Sequence, residues 1–65
     1  MTTVIKESDS FRLICKKNAC VKPEGLFNLE FIQEHIKDGE VEQTSTYQFF
    51  LDDNEINILC EGLTK

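Results

Sequence analysis

The chain is poor in the residues on which most assignments of function depend. Among its 65 residues it has no tryptophan, one proline, one histidine and three isolated glycines, and no run of apolar residues exceeds three. Such short runs do not span a membrane, and isolated glycines do not form a phosphate-binding loop. A chain of this length forms one core, which excludes two-domain enzymes, dinucleotide-binding folds and solenoids. We therefore expect a single domain over residues 1–65.

The cysteines are few, odd in number and without the spacing of a disulfide framework: Cys15, Cys20 and Cys60. Residues 1–7 lack the apolar run of a secretory signal, so we expect free thiols and a cytoplasmic location. The spacing also allows a Cys3His zinc site that includes His35. Because Cys60 falls on the apolar side of a predicted helix, where cysteine acts as a small hydrophobe, we expect no metal and no cofactor.

Catalytic constellations are equally scarce. His35 is the single histidine, and no serine or cysteine lies in a recognisable nucleophile motif. Glu30 and Glu34 could face the same way, but a carboxylate pair acts as acid and base only in a cleft that shifts one pKa. We expect solvated glutamates, no catalytic residues and no enzyme.

Basic residues are outnumbered, and they are unevenly placed. The net charge is −5, yet residues 1–22 carry five basic and two acidic side chains, whereas residues 23–65 carry two basic and ten acidic ones. Binding to phosphates depends on lysine and arginine, so the field of the whole chain opposes nucleic acid at long range.

The clearest local pattern is a helix over about residues 53–61. Asp52 is a good N-cap, Glu55 completes a box-like first turn, and Gly62 offers a stop. Apolar residues recur at the spacing of one buried helical side: Ile56, Leu59, Cys60 and Leu63. A helix this short needs a packing partner, which we expect to be a sheet.

The sheet is predicted from alternation and turn signals. Residues 10–16 and 44–51 have apolar side chains at alternate positions (Phe11, Leu13 and Cys15; Tyr47, Phe49 and Leu51), as expected of strands. Residues 3–6 form a short first strand, and Asp38-Gly39 is a hairpin turn signal. The turn pairs residues near 26–37 with residues near 40–51. We predict an α+β fold, a small antiparallel sheet in the order β-β-β-β-α, packed by one C-terminal helix.

Residues 27–37 also fit a helix, with Asn28 as the cap and Gly39 as the end. We prefer a strand because Asp38-Gly39 leads directly into another β-type run. If residues 27–37 form a strand, the sheet has a second apolar face on the side away from the helix. That face is made by Ile14, Ile32, Ile36 and Phe50. Small monomers seldom leave such a patch uncovered, so a two-fold homodimer is expected. The alternative is that strand twist and the 19–22 loop cover it.

The stretch from Phe27 to Ile36, the Asp38-Gly39-Glu40 turn and the helix start at 49–55 resemble the positive-cofactor-four (whirly-like) single-stranded-DNA-binding coactivators. The pattern covers about residues 10–63. The resemblance implies a dimer whose contact is formed by the helices, and a basic, aromatic face of the sheet that binds single-stranded DNA. The residues in position for that role are Phe11, Arg12, Lys16, Lys17 and Tyr47.

The second hypothesis is a non-enzymatic regulator that binds a protein. Small acidic homodimers with an apolar face are typical of phage or mobile-element inhibitors of host proteins, in which charge guides approach and a few apolar anchors supply affinity. The anchors would be Phe50, Ile32 and Tyr47, beside the apolar Ile14 and Ile36 and the acidic Glu40, Glu42, Asp52 and Asp53. A small-molecule site at a dimer seam is a third alternative that the sequence does not locate. We favour the protein-binding hypothesis.

Overall fold

The computed structural model describes residues 1–65 as a four-stranded antiparallel sheet followed by one helix, with the strands side by side in chain order. The elements are β1 (Thr2–Glu7), β2 (Phe11–Ala19), β3 (Leu26–Lys37), β4 (Glu40–Asp52) and α1 (Asp53–Thr64). The predicted α+β order is confirmed. No helix has the length and hydrophobicity that a transmembrane segment requires.

The β3–β4 hairpin forms around the predicted turn. Asp38 and Gly39 both have positive φ, at 53° and 80°, which is the backbone that a two-residue turn between twisted strands requires. The turn sets the register, in which Leu29 lies opposite Phe49 and Phe27 opposite Leu51. The strand interpretation of residues 27–37 is therefore confirmed, and the helical alternative is wrong.

The sheet is a single layer without a conventional core. Leu29 is the one residue classed as buried, with 7% of its surface exposed, and it lies on the interior strand β3. The molecule measures 41 × 31 × 16 Å. All other apolar side chains of the sheet are half-buried or exposed.

The helix begins as predicted but does not cover the sheet. The Asp52 carboxylate accepts from the Glu55 amide at 2.8 Å, and the Glu55 carboxylate accepts from the Asp52 amide at 2.9 Å. This capping box joins α1 to β4 with no intervening loop, so the chain has no residues with which to fold the helix back over a face. The helix has no buried residue, and the strand it mainly contacts is β4. The expected packing of the helix on the sheet is not observed.

The predicted stop at Gly62 is also wrong. The helix continues through Gly62 to Thr64, whose hydroxyl donates to the Glu61 carbonyl at 3.1 Å. Gly62 does not adopt the positive φ of a helix-terminating glycine.

Candidate functional site

One side of the sheet, which we call the Leu29 face, is dominated by apolar and aromatic side chains. Residues opposite each other in an antiparallel pair project to the same side, so the register assigns them directly. The face carries, from β1 to β4, Thr3, Lys6, Phe11, Leu13, Cys15, Lys17, Ala19, Phe27, Leu29, Phe31, Gln33, His35, Gln43, Ser45, Tyr47, Phe49 and Leu51. None of these is a carboxylate. The first acidic residue on this side is Glu40, opposite Lys37 beside the turn.

Two lysines on the Leu29 face lie over aromatic rings. The Lys17 ammonium is 4.3 Å from the centroid of the Phe27 ring, and the Lys6 ammonium is 6.0 Å from that of Phe11. Phe11 also meets His35 edge to face, with centroids 5.6 Å apart. These contacts place the ammonium groups of both lysines over the faces of aromatic rings, which attract cations.

The opposite side, the Ile32 face, mixes apolar and charged side chains. Its apolar members include Ile14 and Ile32, which lie side by side, and Phe50, which is 58% exposed. Its carboxylates are Glu7, Glu30, Glu34 and Asp52, and its cations are Arg12 and Lys16. The face is therefore a strip of separated apolar groups within a charged surface.

Arg12 is held on the Ile32 face by two carboxylates. Its Nε donates to Glu34 Oε1 at 2.6 Å, and its Nη1 lies 3.6 Å from Glu7 Oε2. Toward the other end of β3, Asn28 Nδ2 donates to Glu30 Oε1 at 3.2 Å, while Asn28 Oδ1 is buried and has no hydrogen-bond partner. Asn28 lies directly opposite Phe50. An unused acceptor thus adjoins an exposed aromatic ring.

The two edges of the sheet differ in how they are protected against further pairing. β1 is six residues long, is interrupted by a bulge between Val4 and Lys6, and ends in charged residues, all of which discourage addition of a strand. β4 is 13 residues long and carries no charge and no proline from Gln43 to Leu51. It pairs only with β3. The β4 edge therefore lacks the usual protection.

The predicted acidic residues lie at the two ends of β4. Glu40 and Glu42 adjoin the hairpin turn, whereas Asp52 and Asp53 lie at the junction with α1. A strand of this length separates its ends by about 40 Å, so the four carboxylates do not form one cluster. They flank the uncharged part of the β4 edge instead.

The structure divides the remaining predicted site residues between the two faces. Ile14, Ile32, Ile36 and Phe50 share the Ile32 face as expected. Tyr47, predicted to act with Phe50 and Ile32, lies on the Leu29 face and is 53% exposed. The three predicted anchors therefore do not share one surface, because neighbouring odd and even positions of a strand project to opposite sides.

The predicted nucleic-acid set is divided in the same way. Phe11, Lys17 and Tyr47 lie on the Leu29 face, whereas Arg12 and Lys16 lie on the Ile32 face. Phe49 was missed as a surface candidate although it is 51% exposed. The sequence reasoning expected the helix to cover this face. It did not take into account that α1 follows β4 without a loop, which leaves the Leu29 face uncovered.

The thiols and the surface beside the hairpin are the remaining places where chemistry or ligand binding could occur. Burial raises the pKa of the Cys15 thiol, which is therefore a weak nucleophile at neutral pH. No three cysteine, histidine or carboxylate side chains come together as a metal-binding group. An open depression of about 240 Å³ beside the hairpin is lined by Lys37, Asp38, Glu40, Val41 and Glu42.

Comparison of the chain with family models, with curated proteins and with solved structures finds no match. The two faces and the β4 edge are therefore the features of the molecule that bear on its function.

Proposed function

We propose that this chain is a non-enzymatic, homodimeric interaction protein that binds a protein partner and inhibits or regulates it, in the manner of phage or mobile-element inhibitors. The observation that carries the proposal is the β4 edge. It is long, exposed and uncharged from Gln43 to Leu51, and it has carboxylates at both ends. Open edges of this kind accept an extended segment of another chain through main-chain hydrogen bonds.

Charge defines the kind of partner that the edge suits. Glu40 and Glu42 at one end and Asp52 and Asp53 at the other favour a protein surface or segment that carries lysine or arginine on both sides of an uncharged stretch. Complementary charge accelerates encounter and penalises acidic competitors. The net charge of −5 acts in the same direction at longer range.

The Ile32 face adds anchors beside that edge. Ile14, Ile32 and Thr46 lie opposite one another on the neighbouring strands β2, β3 and β4. The aromatic ring of Phe50, also on β4, projects to the same face. Exposed apolar side chains within a polar surround are typical of the groups that dominate binding energy at interfaces.

The test is retention of a protein from a lysate of the native host by immobilised wild-type chain, with and without nuclease. The diagnostic variant is Thr46→Lys, which places a charge in the middle of the uncharged edge. The matched control is Thr2→Lys, the same change at an exposed position on the same face but on the protected edge β1. We expect the wild-type chain to retain one protein in a stoichiometric amount, with or without nuclease treatment. The Thr2→Lys variant should retain the same protein. When that protein is purified and titrated, its affinity for Thr46→Lys should be about tenfold lower than for the wild-type chain.

Two results would contradict the proposal. One is retention that disappears with nuclease, which would show that nucleic acid is the ligand. The other is equal affinity of the purified partner for Thr46→Lys and Thr2→Lys, which would remove the β4 edge from the interface.

Single-stranded nucleic-acid binding is a second candidate because of one observation. Five of the six aromatic side chains, together with Lys6 and Lys17, share the Leu29 face, and no carboxylate accompanies them between the hairpin end and Leu51. Aromatic rings and cations on a sheet are the usual platform for stacked bases. The excess of acidic residues elsewhere in the chain opposes this candidate.

Lys16 and Lys17 separate the two candidates because they are neighbours on opposite faces. If the Leu29 face binds nucleic acid, fluorescence anisotropy with a labelled oligothymidylate at physiological salt will show binding that Lys17→Glu abolishes and Lys16→Glu reduces only slightly. The protein-directed proposal expects no binding of the oligonucleotide by the wild-type chain under these conditions.

A further inference from the structure

We propose that the Leu29 face is the surface on which a second copy of this chain docks, so that two sheets close into a sandwich. The assignment rests on the homodimer part of the proposed function and specifies which surface builds it. It also changes the surface that the sequence favoured, since the sequence placed self-association on the Ile32 face.

The single chain exposes more surface than a compact monomer of its size. The folded chain exposes 5134 Å², whereas a compact monomer of 7.5 kDa exposes about 4,200 Å². The excess is roughly 900 Å², close to the 800 Å² or so that each partner buries in a standard stable interface. One chain therefore leaves open about as much surface as one partner would cover.

The composition of the Leu29 face identifies it as the part that should be covered. Leu29 is at its centre, and Phe27, Phe31, Phe49 and Tyr47 surround it on β3 and β4. Phe49 is 51% exposed and Tyr47 is 53% exposed in the single chain. Contiguous aromatic surface of this kind is the usual core of an interface.

Charge explains why the occupant is a second copy. A chain with a net charge of −5 repels itself unless the contact surface is free of its acidic residues. The Leu29 face has no carboxylate before Glu40 at the hairpin end, and the ammonium groups of its two lysines lie over the rings of Phe27 and Phe11. The face can thus meet its own copy without bringing carboxylates together, and the ammonium groups of its lysines are held by aromatic rings of the same chain.

The other open surfaces are poorly suited to self-association. Pairing two copies through the Ile32 face would enclose the carboxylates of Glu7, Glu30 and Glu34 from each copy, with Arg12 already engaged by two of them. Pairing two β4 edges antiparallel would bring the Glu40 end of one copy to the Asp52 end of the other. Both arrangements oppose like charges at close range.

Packing of two sheets through the Leu29 faces agrees with ordinary sandwich geometry. Two sheets stack about 10 Å apart, with the side chains of their inner faces interdigitated and strands nearly aligned. Because the surface is the same on both copies, the contact closes under two-fold symmetry. The β4 edges and the Ile32 faces remain open for the partner.

The test compares two adjacent phenylalanines by sedimentation equilibrium over a range of protein concentrations. Phe49 and Phe50 are consecutive residues of β4 with similar exposure, 51% and 58%, but they lie on opposite faces. We expect wild type and Phe50→Glu to have twice the 7.5 kDa chain mass, and Phe49→Glu to dissociate about thirtyfold more readily or more.

Each other outcome has a distinct meaning. A wild-type mass of one chain at all concentrations would overturn both this inference and the homodimer. A dimer that Phe50→Glu dissociates and Phe49→Glu does not would overturn only the assignment to the Leu29 face. Equal masses for both variants, at twice the chain mass, would also overturn it, because neither face would then be the contact.

A second pair of variants keeps the test decisive if a glutamate prevents folding. Phe49→Thr and Phe50→Thr place a residue of high strand propensity at the same positions. We again expect the dimer of the Phe49→Thr variant to dissociate more readily than the dimer of the Phe50→Thr variant. If instead the wild-type chain is monomeric and the labelled oligothymidylate binds it in a manner that Phe49→Thr abolishes, the Leu29 face is a nucleic-acid platform and the inference is wrong.

Discussion

At the scale of single residues, alternation along a strand decides which groups act together. Phe49 and Phe50 are adjacent in sequence, yet the first belongs to an apolar face and the second to a charged one. The same rule separates Lys17 from Lys16, and Tyr47 from Phe50. A surface on this molecule must therefore be assembled from every second residue of several strands rather than from neighbours in the sequence.

The thiols give a prediction at this scale. Cys60 is exposed on α1, whereas Cys15 is half-buried on the Leu29 face and burial raises its pKa, which lowers the fraction of reactive thiolate at a given pH. We expect iodoacetamide to modify Cys60 several times faster than Cys15 in the native protein, as followed by peptide mass spectrometry. Denaturant should make the two rates similar. Equal rates in the native protein would show that Cys15 is not shielded.

At the scale of secondary-structure elements, short signals determine where strands and helix begin. Positive φ at Asp38 and Gly39 closes the hairpin, and the reciprocal hydrogen bonds of Asp52 and Glu55 start the helix. Each signal involves residues no more than three positions apart. Because the cap residue is also the last residue of β4, the same interaction that starts α1 directs it away from the sheet.

The cap gives a prediction at this scale. Asp52→Ala removes the acceptor of the Glu55 amide and one acidic group from the helix N-terminus, and it should lower the free energy of unfolding by about 1 kcal/mol. The control is Asn54→Ala, an exposed position in the first turn for which no side-chain hydrogen bond is present. Urea titration at one protein concentration measures both. A smaller loss for Asp52→Ala than for Asn54→Ala would contradict the role of the cap.

At the scale of the whole molecule, the chain is flatter and more open than its length requires. Its radius of gyration is 13.9 Å, whereas a compact domain of 65 residues has about 11 Å. With one buried residue, the single chain has little hydrophobic stabilisation to offset the conformational entropy lost on folding. The proposed association through the Leu29 face would supply burial that the single chain lacks.

If association supplies this burial, stability depends on protein concentration. We expect the thermal midpoint, followed by circular dichroism, to rise with total chain concentration for the wild-type protein, because dimer formation stabilises the folded state by mass action. Phe50→Glu should keep that dependence and Phe49→Glu should lose most of it. A wild-type midpoint that does not change with concentration would show that the isolated chain is stable without a second copy.

The sequence by itself determined the order of the elements along the chain, the hairpin turn, the helix start and the division of apolar residues into two sets. These features depend on contacts between residues near in the chain or directly across a hairpin, so alternation, turn residues and a cap are sufficient to predict them. The residues on the Ile32 face, including Ile14, Ile32 and Phe50, were predicted together for this reason.

Only the tertiary structure decided which surfaces remain open. The amphipathic pattern of α1 indicated a packed helix, but the helix leaves β4 at Asp52 without a connecting loop and does not return over the sheet. The direction of a helix relative to a sheet depends on the geometry of one junction rather than on hydrophobic spacing. That junction leaves the Leu29 face uncovered, because no other segment of this short chain is placed to cover it.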